Sequence, residues 1–258
     1  MRLPALLLVL SALVAPGCYF TRSPSRPLPA LEALRRHPDR QDCLVVMLPG
    51  FLDGPDTYLD HGFPRRLVES GAPCDAVMVD LHYRYYSEIG IADIVYEDIL
   101  VPATTRGYDE IWLVGISMGG LGTLLTTQRY HRLIDGVILL APFVGEEGTL
   151  REIEAAGGAE LWRPPSSLSD EPWSQANYTA HLWSYLRGYR TDPDGMPPLY
   201  IGWGESDRLG PADRLLGALL DEDHVFVIPG RHNWATWSPL FEQILTVALP
   251  GGGGREEG

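Results

Sequence analysis

The sequence predicts an α/β fold: a mostly parallel sheet flanked by helices, with a small helical cap. Three observations carry this. First, six short apolar runs recur, at Leu44–Leu48, Ala76–Val79, Ile111–Ile116, Val137–Ala141, Leu199–Ile201 and Val225–Ile228. They are rich in Val, Ile and Leu and do not alternate with polar residues, as expected of strands buried on both faces. Second, helix-like segments separate them, at about Tyr58–Ser70, Ile91–Leu100, Gly120–Tyr130, Pro211–Leu220 and Pro239–Leu249. Strand–helix repetition of this kind argues for a parallel sheet covered on both sides. Third, the regularity breaks once. The stretch 144–197 holds no strong strand but contains Trp162, Trp173, Trp183, Tyr178, Tyr185 and Tyr189. An insertion there is most simply a helical cap over one end of the sheet. Its aromatics either seal the cap to the sheet or line a substrate pocket.

The chain has 258 residues, 45% hydrophobic and 21% charged. That is enough for one large core, and open α/β sheets of this size often stay undivided. With 20 basic against 34 acidic residues, the formal net charge is −14. So negative a surface repels phosphate backbones, which excludes nucleic acid as a partner. The basic cluster Arg22, Arg26, Arg35 and Arg36 is confined to the N-terminal region. It reads either as an exposed linker or as a contact for an anionic membrane.

The N-terminus reads as an address. Met1-Arg2 precedes an apolar run from Leu3 to Val14. Such a run is too short to span a bilayer, which takes about 20 residues, and it fits a secretory signal. It ends at Ala15-Pro16-Gly17-Cys18, which resembles the lipobox of bacterial lipoproteins, where the cysteine is lipidated and becomes the new N-terminus. Lipoproteins usually carry Leu where Ala15 stands, and Pro16 is unusual, so lipidation of Cys18 and plain export are both open. The expected organisation is a signal over 1–17, a linker over 18–41 with a helical turn or two in Leu31–Arg36, a domain over 42–249 and a flexible tail over 250–258. The expected location is outside the cytoplasm, periplasmic or membrane-anchored through Cys18.

The chemistry begins at Gly115-Ile116-Ser117-Met118-Gly119. A Gly-x-Ser-x-Gly pentad is a short pattern that Gly-rich turns also produce by chance. Its context raises its value. Ile111-Trp112-Leu113-Val114 leads into it as a buried strand, and Gly120-Leu121-Gly122-Thr123-Leu124-Leu125 follows as a helix start. Strand, sharp turn and helix are what a nucleophile elbow requires. A serine hydroxyl also needs a base, usually a His steadied by a carboxylate. Two later strand ends supply candidates: Leu199–Ile201 leads to Gly204-Glu205-Ser206-Asp207, and Val225–Ile228 leads to Pro229-Gly230-Arg231-His232. Both fall beyond the C-terminal ends of strands, where open parallel sheets bind ligands.

On these residues the sequence resembles the α/β-hydrolase superfamily, from about residue 42 to 249. Ser117, Asp207 and His232 come in that superfamily's order of nucleophile, acid and base. The resemblance implies an α/β-hydrolase fold and a triad in which Ser117 attacks, His232 moves the proton and Asp207 orients His232. Glu205 is the alternative acid. His224 starts a strand at the wrong end of the sheet, and His61 precedes the nucleophile. His82 and Trp203, near the expected site edge, are candidate substrate contacts. The resemblance places oxyanion donors at the N–H groups of Met118 and Phe51, although Pro49 stands where many members have His. It also makes the strands beginning near Cys43 and Cys74 parallel neighbours, which implies a Cys43–Cys74 disulfide in an oxidising compartment. Two buried free thiols are the alternative.

The function so implied is cleavage of a carboxylic ester, or a related acyl bond, in a small acyl substrate. An acyltransferase or thioesterase would use the same triad, and a non-catalytic, surface-anchored binding protein could use the same scaffold. Dehalogenases and epoxide hydrolases of this fold carry Asp at the elbow, where this chain has Ser117. The seven histidines show no metal-ligand spacing, so neither a metal nor another cofactor is expected.

Overall fold

All six apolar runs form parallel strands, and a seventh strand joins them antiparallel. The computed structural model describes residues 22–33, 42–87 and 90–249. The strands are β1 (Ala30–Ala33), β2 (Cys43–Leu48), β3 (Cys74–Val79), β4 (Glu110–Ile116), β5 (Gly136–Leu140), β6 (Leu199–Gly204) and β7 (Val225–Ile228). They form one sheet in the order β1-β3-β2-β4-β5-β6-β7, with only β1 antiparallel. Every residue of β2, β3, β5 and β6 is buried, which is why these runs lack a polar alternation.

Helices cover both faces. Phe63–Glu69 packs against Trp234–Ala248, and Ile91–Val95 packs against Met118–Tyr130. Neighbouring residues of β6 show the two faces directly. A Cβ on Gly202 would meet Leu240 and Ile244, whereas Trp203 lies against Gly210 and Gly217 of the helix Gly210–Gly217. Side chains along a strand point to alternate faces. The helix expected from Pro239 begins earlier, at Trp234, because Asn233 caps it by accepting from the Thr236 N–H at 3.2 Å. The helical run after Gly90 passes through a π-turn at Tyr96–Leu100 and continues to Thr105.

The segment before residue 42 differs from the linker expected there. Asp98 receives Arg26 Nε at 2.6 Å and the Leu28 N–H at 2.8 Å. Arg22 pairs with Asp80, Ser25 N–H donates to Tyr85 Oη at 2.9 Å, and Leu28 is buried. Residues 22–33 thus form a strap that ends in β1, a strand where a helical turn was expected from Leu31. Ala30–Ala33 is largely exposed, so it carries no buried-strand signal. The residues expected to form a signal sequence, Cys18 and the tail expected over 250–258 lie outside the described residues.

Cys43 and Cys74 are partners in the β2–β3 register and are joined by a disulfide. The stretch 144–197 contains the helices Glu147–Ala155, Tyr178–Leu186 and Gly188–Thr191. Tyr178–Leu186 packs on Met118–Tyr130, and the Trp183 indole donates to the Val144 carbonyl at 2.9 Å.

Candidate active site

The site forms where the chain changes direction across the sheet. β2 and β4 are adjacent and parallel, but β2 leads to helices on one face and β4 to a helix on the other. Loops leaving neighbouring strands toward opposite faces open a crevice at their C-terminal ends. Ser117 stands at the end of β4, and the loop Leu48–Gly54 stands at the end of β2.

Ser117 has φ 51° and ψ −114°, a left-handed conformation that costs energy for a residue with a side chain. The surroundings impose it. Ser117 N–H donates to the Leu140 carbonyl at 3.0 Å, and its own carbonyl accepts from Phe143 N–H at 2.7 Å. The flanking glycines are steric necessities. A Cβ on Gly115 would come within 2.5 Å of Thr123 Oγ1, and one on Gly119 within 2.0 Å of the Leu48 carbonyl oxygen.

Ser117 Oγ lies 2.9 Å from His232 Nε2. His232 Nδ1 lies 2.9 and 3.0 Å from the two Asp207 oxygens. One tautomer satisfies the chain, with Nδ1–H donating to Asp207 and Nε2 accepting from the serine hydroxyl. The Asp207 side chain is wholly buried and also accepts from Leu209 N–H at 2.9 Å. Trp237 meets the His232 ring edge to face at 4.9 Å. Glu205 is exposed, and His232 is paired with Asp207 instead. His224 is bonded to the Leu199 carbonyl, at the opposite edge of the sheet.

The start of the helix Met118–Tyr130 and the loop after β2 border the serine. Met118 is the first residue of its helix, so its N–H has no intrahelical acceptor. A Cβ on Gly50 would lie 3.7 Å from Ser117 Cβ, so the loop that holds Phe51 comes close to Ser117. Tyr58 is buried beneath this loop and donates to the Leu48 carbonyl at 2.8 Å. Asp53 also belongs to the loop. Burial raises its pKa, opposed by a hydrogen bond from Trp234.

Two residues expected to contact substrate are placed elsewhere. His82 is buried under the strap, against Tyr85 and near Arg22 and Asp80. Trp203 points beneath the helix Gly210–Gly217 and serves the core. Sequence reasoning singled out neither Leu121 nor Phe143, which line a cleft beside Met118 together with Trp173 and Tyr178. The spacing of Leu121 and Leu125 along one helix face was the available signal. Of the six cap aromatics, Trp173 and Tyr178 line this cleft, whereas Trp162 and Trp183 are core residues. Among the described residues, no group of His, Cys, Asp and Glu is disposed to hold a metal ion.

No protein-family model matches the chain, and no curated protein matches it in sequence. Solved structures do share its fold. MGS-MChE2, an alpha/beta hydrolase enzyme from a sediment metagenome of the Mar Chica lagoon in Morocco, is 18% identical. The match covers 87% of this chain and 94% of that one, with a TM-score of 0.52. Est1E from Butyrivibrio proteoclasticus, with ferulic acid bound, is 16% identical over 84% and 94%, with a TM-score of 0.54. Paleococcus ferrophilus monoacylglycerol lipase is 14% identical over 86% and 98%, also with a TM-score of 0.54. The fold is therefore that of the α/β-hydrolases.

Proposed function

We propose that the protein is a serine hydrolase that cleaves carboxylic esters through an acyl-enzyme on Ser117. The observation that carries this reading is the hydrogen-bonded chain from Ser117 through His232 to Asp207. Ser117 Oγ attacks the ester carbonyl carbon while its proton passes to His232 Nε2. The carbonyl oxygen takes up negative charge between the Met118 and Phe51 N–H groups, each such donor being worth about 3–4 kcal/mol. The intermediate collapses, the C–O bond to the alcohol breaks, and the leaving oxygen takes the proton from Nε2. Water, deprotonated by His232, then releases the acid and restores Ser117.

The test is labelling by a fluorophosphonate probe together with ester turnover. Wild-type protein is expected to label on Ser117. Ser117→Ala is expected to label nowhere in the site and to lose about 10,000-fold or more in kcat. A folded wild type that takes no label, or a variant as active as wild type, would remove the mechanism.

We also propose export, with the mature chain attached to a membrane through a lipid on Cys18. The sequence around Cys18 supports this, and the disulfide suits an oxidising compartment. Mass spectrometry of the mature protein is expected to find an N-terminal diacylated Cys18, and an intact Met1 would exclude the proposal.

A further inference from the structure

Beside Ser117 runs a cleft of about 360 Å³. Met118, next to the nucleophile, is part of its lining. Leu121 and Leu125 follow at helical spacing along the floor, and Phe143 and Trp173 form walls. Glu146 is the lining's only charged residue; it is exposed, and its carboxylate accepts from Tyr178 Oη at 3.1 Å.

The triad geometry decides which half of an ester enters. The leaving oxygen must take its proton from His232 Nε2, so the leaving group lies on the side of the His232 loop. No residue of Pro229–Asn233 lines the cleft. Ser117 does not line it either, but Met118, the next residue, does, so the cleft lies on the side where the half that stays on Ser117 is placed. We propose that this cleft is the acyl pocket, and that it selects an uncharged, apolar acyl group of limited length. The proposal rests on Ser117 being the nucleophile.

Size sets the length. At about 30 Å³ for a water-sized group, the cleft holds roughly a dozen heavy atoms. That suits a substituted aromatic ring or a chain of about eight to ten carbons. Charge sets the polarity. A carboxylate on the acyl tail would meet Glu146 with no Lys or Arg in the lining to offset it. Trp173 sets the end wall. A second cavity of about 220 Å³ shares Ile91, Leu125 and Trp173 with the first, and continues to Asp93, Gln128 and Arg129. The Trp173 indole, stacked on His181 at 5.5 Å, borders both cavities.

The experiment is a series of p-nitrophenyl esters from two to sixteen acyl carbons, with an ω-carboxylated acyl ester added, read as kcat/KM. For wild type we expect a rise of about threefold to fourfold per methylene, a maximum near eight carbons and a fall beyond ten. Trp173→Ala is expected to join the cavities and move the maximum to longer chains. Leu121→Trp is expected to move it to shorter ones. Glu146→Gln is expected to raise the carboxylated-to-neutral ratio by about twofold to fivefold. If Trp173→Ala and Leu121→Trp both label with fluorophosphonate at the wild-type rate yet keep the wild-type chain profile, the cleft is not the acyl pocket. Wild type that fails to label would instead overturn the serine mechanism.

Discussion

Asp207 faces His232 with both carboxylate oxygens, at 2.9 and 3.0 Å from Nδ1. The ring is therefore held at a definite angle as well as in one tautomer. Asp207→Asn can present an N–H to Nδ1 and stabilise the wrong tautomer, so kcat should fall about 10,000-fold. Glu205→Gln should stay within a few-fold of wild type, since Glu205 is exposed and unconnected to the ring. Steady-state ester hydrolysis by the two variants checks the assignment, and the reverse order of losses would transfer the acid role to Glu205.

The elbow is intolerant of any side chain at Gly119. A Cβ there would sit 2.0 Å from the Leu48 oxygen and 2.6 Å from the Pro49 oxygen. Both are backbone atoms of the loop that carries Phe51, so neither can rotate away. Gly119→Ala should cost about 3 kcal/mol or more and lower ester kcat. Urea unfolding measures the first, and a variant of wild-type stability and activity would show that the loop approaches less closely.

The disulfide closes a loop with a sequence separation of 31. Chain-entropy reasoning assigns such a loop about 3–4 kcal/mol. Urea unfolding with and without reductant should differ by that amount. In the denatured, unreduced chain, Cys43 and Cys74 should not react with a thiol reagent, and two reactive thiols from these positions would exclude the bridge.

Asp213 gives stability a downward slope with pH. Its side chain is fully buried, and neither oxygen has a hydrogen-bond partner. Burial, then the charge of Asp207, pushes its pKa well above the ordinary carboxylate range. In the unfolded chain it ionises near pH 4. Above that pH the folded form holds a proton that the unfolded form has lost. Unfolding therefore releases a proton, and stability falls by at most about 1.4 kcal/mol per pH unit until the folded pKa is reached. Asp213→Asn should remove this slope. Between pH 5 and 8 the wild-type urea midpoint should drop relative to the variant, and parallel curves would mean that Asp213 carries its charge when folded.

What was legible in the sequence followed from burial. β2 to β6 were readable because both their faces lie in the core, so mostly apolar residues follow one another; β7 was readable from Val225-Phe226-Val227-Ile228 although, against expectation, it is only part-buried. β1 was not, because Ala30-Leu31-Glu32-Ala33 lies exposed at the sheet edge and is held by its partner's backbone. Ser117, Asp207 and His232, which the structure brings together, could be singled out because each follows a readable strand. Trp203 misled because it also sits at a strand's C-terminal end, and strand position does not say which face a side chain takes. His82 misled for a related reason: its ring turns under a strap that the sequence presented as a linker. Asp213 left no signal, since an acid in an amphipathic helix reads as exposed.

The strap has a consequence for reach. Arg22 is pinned to Asp80, the residue after β3, so the strap begins at the same edge of the sheet that carries Ser117. Cys18 precedes Arg22 by four residues, a leash of at most about 14 Å when fully drawn out. With a lipid on Cys18, the domain would hang from the edge that carries Ser117 and have little room to turn over. Phe51, Leu52 and Tyr83, at 41%, 56% and 40% exposure, would then lie nearest the bilayer. An ester dissolved in the lipid interface would reach Ser117 without first crossing open water.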